Sequence, residues 1–169
     1  MKLFNRILNR LEEIIVIISL AIATTVTFIE VILRYGFGSS LGISQELAIF
    51  LLIFTGLIGS SIGVREKVHI GVDLVIKTFP LPLQKIMSIF GLLLSAIFTL
   101  IIAILGIMHV QNLVNFGQVT PEMEIPIYVP RMIIPIAFGL ITFRFIQEAV
   151  KQIKLPPEEI FKEEEGMHQ

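Results

Sequence analysis

The chain contains no cysteine. That removes disulfide frameworks, thiolate metal sites and thiol redox relays, and with them the quinone-coupled disulfide oxidases among four-helix membrane proteins. Charge is also scarce, at 16% of residues, where soluble globular domains carry about a quarter. Histidine is limited to His69, His109 and His168. A bis-histidine haem needs two imidazoles at one depth, which His69 and His109, separated by most of a membrane, do not supply. No nucleophile, base and metal-ligand set clusters anywhere in the sequence, which argues against an enzyme. No internal repeat is present, and the net charge of −1 gives no reason to expect nucleic acid as a partner.

What the chain has in abundance is apolar surface. Hydrophobic residues make up 54% of its 169 positions and mean hydropathy is +0.87, so lipid is the expected solvent. Crossing a bilayer takes roughly 20 apolar residues in a helix, because every backbone amide must be bonded within the segment. Four stretches qualify, at about 14–33, 47–64, 86–110 and 125–145, and predict an all-α membrane domain over 14–146. The 13 lysines and arginines are sorted by position: eleven fall in the N-terminal segment, the middle connection and the C-terminal end, while only Arg34 and Arg131 fall on the other side. By the positive-inside rule, both termini and the middle connection are expected in the cytoplasm.

Residues 1–13 put Leu3, Phe4, Ile7, Leu8 and Leu11 on one helical arc and Lys2, Asn5, Arg6, Asn9, Arg10, Glu12 and Glu13 on the other. Two readings fit: an amphipathic helix lying in the membrane interface, or an extension of the first span out of the membrane. The apolar run reaches Leu33, too long for a cleaved signal, so an uncleaved anchor is expected. Gly36, Gly38 and Gly42 mark a short turn, after which Ser44 is expected to cap the second helix with Glu46 in its first turn. At the other end of the chain, Pro156, Pro157 and the acidic run in 147–169 predict a solvated tail.

Ionisable groups in hydrocarbon are functional candidates by default. Glu30 lies near the external end of the first span with Arg34 four residues on, the favourable acid-first order for a helix ion pair. A proton-coupled carrier complete in this one chain would have to use Glu30. Yet the midplane polar cluster and paired broken helices of a self-sufficient carrier are missing; Pro135 is the lone mid-span breaker. Gly56, Gly59 and Gly63 form a small-residue face on the second helix, suited to close packing either inside the bundle or against another membrane protein.

The segment from Arg65 to Leu74, R-E-K-V-H-I-G-V-D-L, resembles the R-x-x-x-H-I-x-V-D-x-L signature of the small, Q-type membrane subunit of tripartite ATP-independent periplasmic (TRAP) transporters. Arg34-Tyr35, Gln45-Glu46-Leu47-Ala48, Thr120-Pro121, Ile125-Pro126 and Pro135 are similar to further stretches of that family, over about Arg6 to Ile146. Gln45 departs from the usual acidic pair, and Ile127-Tyr128 stands where tryptophan is common. The resemblance implies a scaffold subunit in the bacterial inner membrane, bound to a large membrane subunit and served by a periplasmic substrate-binding protein. It implies import of an organic acid, such as a C4-dicarboxylate or sialic acid, with sodium ions held by the large subunit and no cofactor in this chain. Glu30, Arg34, Glu46, Gly56, Gly59 and Gly63 are then expected at the partner or lipid interface, and Arg65, His69 and Asp73 in ordering the cytoplasmic loop.

Overall fold

The computed structural model describes residues 2–66 and 80–156. It is built of α1 (Lys2–Gly36), α2 (Ser44–Arg65), α3 (Leu81–Phe116), the single turn α4 (Tyr128–Arg131) and α5 (Ile133–Lys154). Four helical segments, Asn5–Gly36, Ser44–Arg65, Pro82–Phe116 and Tyr128–Lys154, are long and apolar enough to cross a membrane. His69 and Asp73, and the tail beyond Pro156, lie outside the described residues.

α1 packs along α2, α2 along α5, and α5 along α3. The helices therefore stand in a row, α1 and α3 at its ends, rather than around a closed core. Even in the most enclosed span only 33% of the apolar window is buried, so most of the surface is left for lipid or protein to cover. Six of the eleven buried apolar residues are alanines, among them Ala23, Ala48, Ala96 and Ala137. Small side chains let helix backbones approach where the hydrophobic effect gives no drive to association.

Each hairpin keeps one register along its length. In α3 and α5, Lys85 Nζ donates to the carbonyl of Leu155 at 2.7 Å, Ser88 Oγ to Gln152 at 2.8 Å, and Thr99 and Thr142 hydroxyls meet at 2.9 Å. Gly106 then faces Pro135: a β-carbon there would lie 3.2 Å from Ile134 Cγ2 and 3.3 Å from the proline ring. This is the close approach that requires glycine. Pro135, expected as a mid-span breaker, sits instead near one end of α5, where its missing N–H cannot bond the Arg131 carbonyl and the helix is interrupted at Met132.

Several expected boundaries move. The fourth span begins at Tyr128, not at 125, because residues 117–127 form a closed loop: Val119 bridges to Pro126, Thr120 N–H bonds Ile125 O at 2.8 Å, and Ile127 N–H bonds Gln118 O at 2.9 Å. The third span runs to Phe116 and ends on Gly117 at φ 61°, a left-handed cap; His109, Gln111 and Asn112 are thus inside the helix and do not cap it. At its start Pro82 is accommodated in the first turn, where backbone N–H groups have no partner in any case.

Of the two readings for residues 1–13, the structure has the extension. α1 is unbroken from Lys2 to Gly36, about 52 Å at ~1.5 Å per residue. The polar residues Asn5, Asn9 and Glu12 are not all turned to head groups; they continue the stripe of Ser19, Ala23 and Glu30 that faces the neighbouring helices. Asn5 Oδ1 accepts from Gln147 Nε2 at 3.0 Å, and Asn9 Oδ1 from Arg144 Nη2 at 2.8 Å. Glu12 is 1% exposed and Arg144 5%. Their carboxylate and guanidinium meet in two bonds, Nη2 to Oε2 at 2.7 Å and Nε to Oε1 at 3.2 Å, and Ser61 Oγ donates to Glu12 Oε1 at 2.8 Å. One buried cluster thereby ties α1, α2 and α5 together.

Removing one partner of such a pair leaves the other charged and unpaired, at a cost on the order of 3–5 kcal/mol, whereas replacing both by apolar residues is often close to neutral. Arg144→Leu is expected to lower the melting temperature in detergent sharply. Adding Glu12→Leu to it should restore most of the loss. A double variant that melts no higher than Arg144→Leu alone would show that the pair is not a coupled unit.

Candidate interaction site

The polar residues gather into two belts. Along α1, Glu12 and Glu30 are 18 residues apart, and along α2 their hydroxyl partners Ser61 and Ser44 are 17 apart. At ~1.5 Å per residue both spacings are about 26 Å, close to the roughly 30 Å of hydrocarbon in a bilayer. Between the belts no span carries an ionised side chain. The arrangement anchors the hairpins at two depths and places no proton or ion relay between them.

The belt on the turn side starts from Glu30, six residues from the end of α1. Its carboxylate accepts from Arg34 Nη2 at 2.9 Å, Ser40 Oγ at 2.7 Å, Leu41 N–H at 3.0 Å and Ser44 Oγ at 2.7 Å. Four acceptor positions are filled by four donors, which is the capacity of a carboxylate. Ser44, expected as the α2 cap, is the first helical residue and spends its hydroxyl on Glu30. The cap comes from elsewhere. Glu122 Oε2 accepts from Glu46 N–H at 3.1 Å, while Glu46 Oε2 accepts from the N–H groups of Glu122 at 3.0 Å and Met123 at 2.8 Å. This reciprocal clasp locks the 117–127 loop onto the start of α2, with a negative charge where the helix dipole favours one. Glu124, at φ 54°, makes the turn within the loop. Glu30 and Glu46, expected at a partner or lipid interface, are thus both bonded inside the chain; Arg34 keeps a side-chain exposure of 55%.

On the basic side, Arg65 closes the other belt. It bonds Glu13 at 2.8 Å and Glu66 at 2.9 Å and stands 3.9 Å from Glu12, so it ties the end of α2 to α1. The Glu12–Arg144 pairing escaped the sequence reading because the two residues are 132 positions apart and each has an ordinary local explanation, Glu12 on a polar arc and Arg144 among inward basic residues. The Glu46–Glu122 clasp escaped it too, since two acids in contact through backbone amides leave no charge pattern.

Gly56, Gly59 and Gly63 behave differently from Gly106. A β-carbon at any of the three would meet nothing within 4 Å. Of the two uses expected for this face, packing inside the bundle is not the one it serves: it is open. Gln45, Ile49 and Leu52 continue it toward the turn side, where they border a groove of about 360 Å³ against Thr27, Val31 and Arg34 of α1. Small residues at the centre and a cation at one rim make a surface that accepts another helix.

The clasp gives a measurable signature. With Glu46→Ala, the amides of Glu122 and Met123 lose a charged acceptor worth on the order of 1.5–3 kcal/mol. Hydrogen exchange at those two amides is expected to accelerate about tenfold or more, with amides in the middle of α2 unchanged; unaltered protection would mean that the loop is held without the clasp.

Comparison with known proteins bears directly on this geometry. Residues 23–155 match the family model for the DctQ component of tripartite ATP-independent periplasmic transporters. The chain is 30% identical to the C4-dicarboxylate TRAP transporter small permease protein DctQ of Rhodobacter capsulatus, covering 85% of this chain and 77% of that protein. It is 26% identical to the protein of the same description from Vibrio cholerae, covering 83% and 70%. A third relative, the isethionate TRAP transporter permease protein DctMQ of Oleidesulfovibrio alaskensis, is 24% identical over 83% of this chain, and that match is 22% of the relative's length. Four spans held by two polar belts, matched over most of their length by this family model, are those of a multi-pass permease subunit of the bacterial inner membrane and not of an enzyme: the chain belongs to the DctQ component family of tripartite ATP-independent periplasmic transporters.

Proposed function

We propose that the chain is the static scaffold subunit of a sodium-coupled, binding-protein-dependent importer of organic acids, and that the open face of α2 is where the large membrane subunit docks. The observation that carries this reading is the contrast between glycines: Gly106 is filled by its own chain, whereas Gly56, Gly59 and Gly63 meet nothing. In the DctMQ relative, the part that matches this chain is joined covalently to a much longer remainder, which supports a large partner held in permanent contact. Relatives at similar identity carry names with different substrates, a C4-dicarboxylate and isethionate. That fits a subunit that does not select the substrate; selection and sodium binding then reside in the large subunit and the periplasmic binding protein. C4-dicarboxylates, sialic acid and related carboxylates are the candidate cargoes. A carrier acting alone through Glu30 is disfavoured, because that carboxylate has its acceptor positions filled and lies about 9 Å from the helix end at ~1.5 Å per residue, not at the midplane.

Two glycine substitutions separate docking from folding. Gly59→Leu enters open space and a better helix former replaces glycine, so the isolated chain should melt unchanged while recovery of the large subunit in co-purification falls at least tenfold. Gly106→Leu should lower the melting temperature of the chain itself, since overpacking typically costs about 1–3 kcal/mol. Full recovery of the large subunit with both Gly56→Leu and Gly59→Leu would remove α2 as the docking face.

Orientation can be read directly, because the chain has no cysteine to interfere. With the basic side in the cytoplasm, Ser39→Cys in intact cells should react with a membrane-impermeant maleimide and Lys154→Cys should react only after lysis. The reverse pattern would invert the proposed topology.

A further inference from the structure

The largest recess in the described structure, about 620 Å³, is on the basic side between the first turns of α1 and the last turns of α5. Neither the transport reading nor the family assignment uses it. Its apolar wall is Phe143, Ile146 and Val150, each 38–47% exposed. Its polar rim is Lys151 and Lys154, with Asn5 and Asn9 opposite on α1. From Phe143 to Lys154 the recess runs eleven residues of helix, about 16 Å at ~1.5 Å per residue, or roughly half of a 30 Å hydrocarbon core. Its length is that of one leaflet, apolar toward the membrane centre and cationic at the surface.

The charges around it are unbalanced in one direction. Asn5 and Asn9 also line an adjoining recess of about 460 Å³ with Arg6, Arg10 and Glu13. Six cations, Arg6, Arg10, Arg65, Arg144, Lys151 and Lys154, border the two recesses against Glu13 and Glu148. Glu12 behind the wall neutralises Arg144, and Glu13 neutralises Arg65, which leaves four cations against Glu148. Such an excess attracts anions, and at the membrane surface each cation is worth about 1 kcal/mol toward anionic lipid. We infer that the recess is a binding site for one anionic phospholipid of the leaflet on the basic side. One acyl chain lies on Phe143, Ile146 and Val150, and the phosphate sits at Lys151 and Lys154, with Arg6 and Arg10 adding to the positive field. Ser61 and Arg65, behind this recess, lie about 140° around α2 from Gly56 and Ser60 at ~100° per residue. A large subunit docked on the glycine face therefore leaves the recess open to lipid; this last step rests on the docking proposed above, and the site itself does not.

Native mass spectrometry of the full-length chain in neutral detergent, offered equal amounts of phosphatidylglycerol and phosphatidylcholine of the same acyl length, tests the site. Phosphatidylglycerol is expected to be retained at least fivefold over phosphatidylcholine, and Lys151→Gln with Lys154→Gln should bring the two to parity with no change in melting temperature. Equal retention by the wild-type chain, or an undiminished preference in the double variant, would overturn the proposal. So would full displacement by soluble glycerol phosphate, which would mark a free phosphate site. A photoreactive benzoylphenylalanine at position 150 in the membrane-embedded complex identifies the occupant: a phospholipid adduct supports the site. A crosslink to residues 157–169 of the same chain overturns it in favour of the tail. A crosslink to the large subunit overturns it too, and if co-purification still depends on Gly59, the docking reading survives that failure.

Discussion

Burying a guanidinium between membrane-spanning helices is tolerable only when a carboxylate and further acceptors meet it, and Arg144 is met by Glu12, Asn9 and Gln147 together. The three acceptors come from two helices whose backbones are not close neighbours along most of their length. Without the cluster, α1 would be held to the rest of the molecule through α2 alone. With it, the α1–α2 hairpin and the α3–α5 hairpin are joined at one depth, and α2 is gripped there through Ser61. The row of helices has little apolar interior to hold it together, so this polar junction sets its shape.

The second belt works on the same principle with different parts. Glu30 fastens the 37–43 turn by accepting every donor that the turn directs toward it, and the Glu46–Glu122 clasp fastens the 117–127 loop to α2. Both hairpins are thus secured at the turn side and interlocked at the basic side. The stretch between the belts is left to alanine packing, a Thr99–Thr142 contact and the Gly106–Pro135 approach. A structure clamped at two depths and plain between them suits a part that stays still while a neighbour moves.

Much of this architecture was legible in residue order. Four apolar runs, the separation of basic residues and the glycine-rich first turn each report a local requirement, hydrocarbon thickness or turn geometry, that a short window of sequence contains. The Glu30–Arg34 pair was legible for the same reason, being four residues apart on one helix. The end of α3 was less so: His109, Gln111 and Asn112 look like a polar terminus, but the helix continues to Phe116 because Gly117, not polarity, ends it. The fourth span was placed too early because Ile125 and Ile127 are apolar, while two prolines and the Val119–Pro126 bridge bend that stretch into a loop. What could not be read locally were the long-range junctions. Glu12 looked like a head-group residue because its partner is on a helix more than a hundred residues later.

The glycines show why residue type alone misleads about interfaces. A triplet spaced by three and four on α2 has the form of a packing motif, and a lone glycine on α3 has none. The structure reverses their internal roles, since the lone Gly106 takes the proline of α5 while the triplet is left bare. An open small-residue face is costly to leave unfilled in a membrane, because lipid chains pack poorly against a concave backbone surface and the dispersion contacts forgone on one side are not recovered. Leaving it open is reasonable only if something rigid fills it. A flat row of helices, stiffened by ionic junctions at its edges and concave along its second helix, presents that surface to a partner without having to rearrange its own core, and preorganisation of this kind lowers the cost of association.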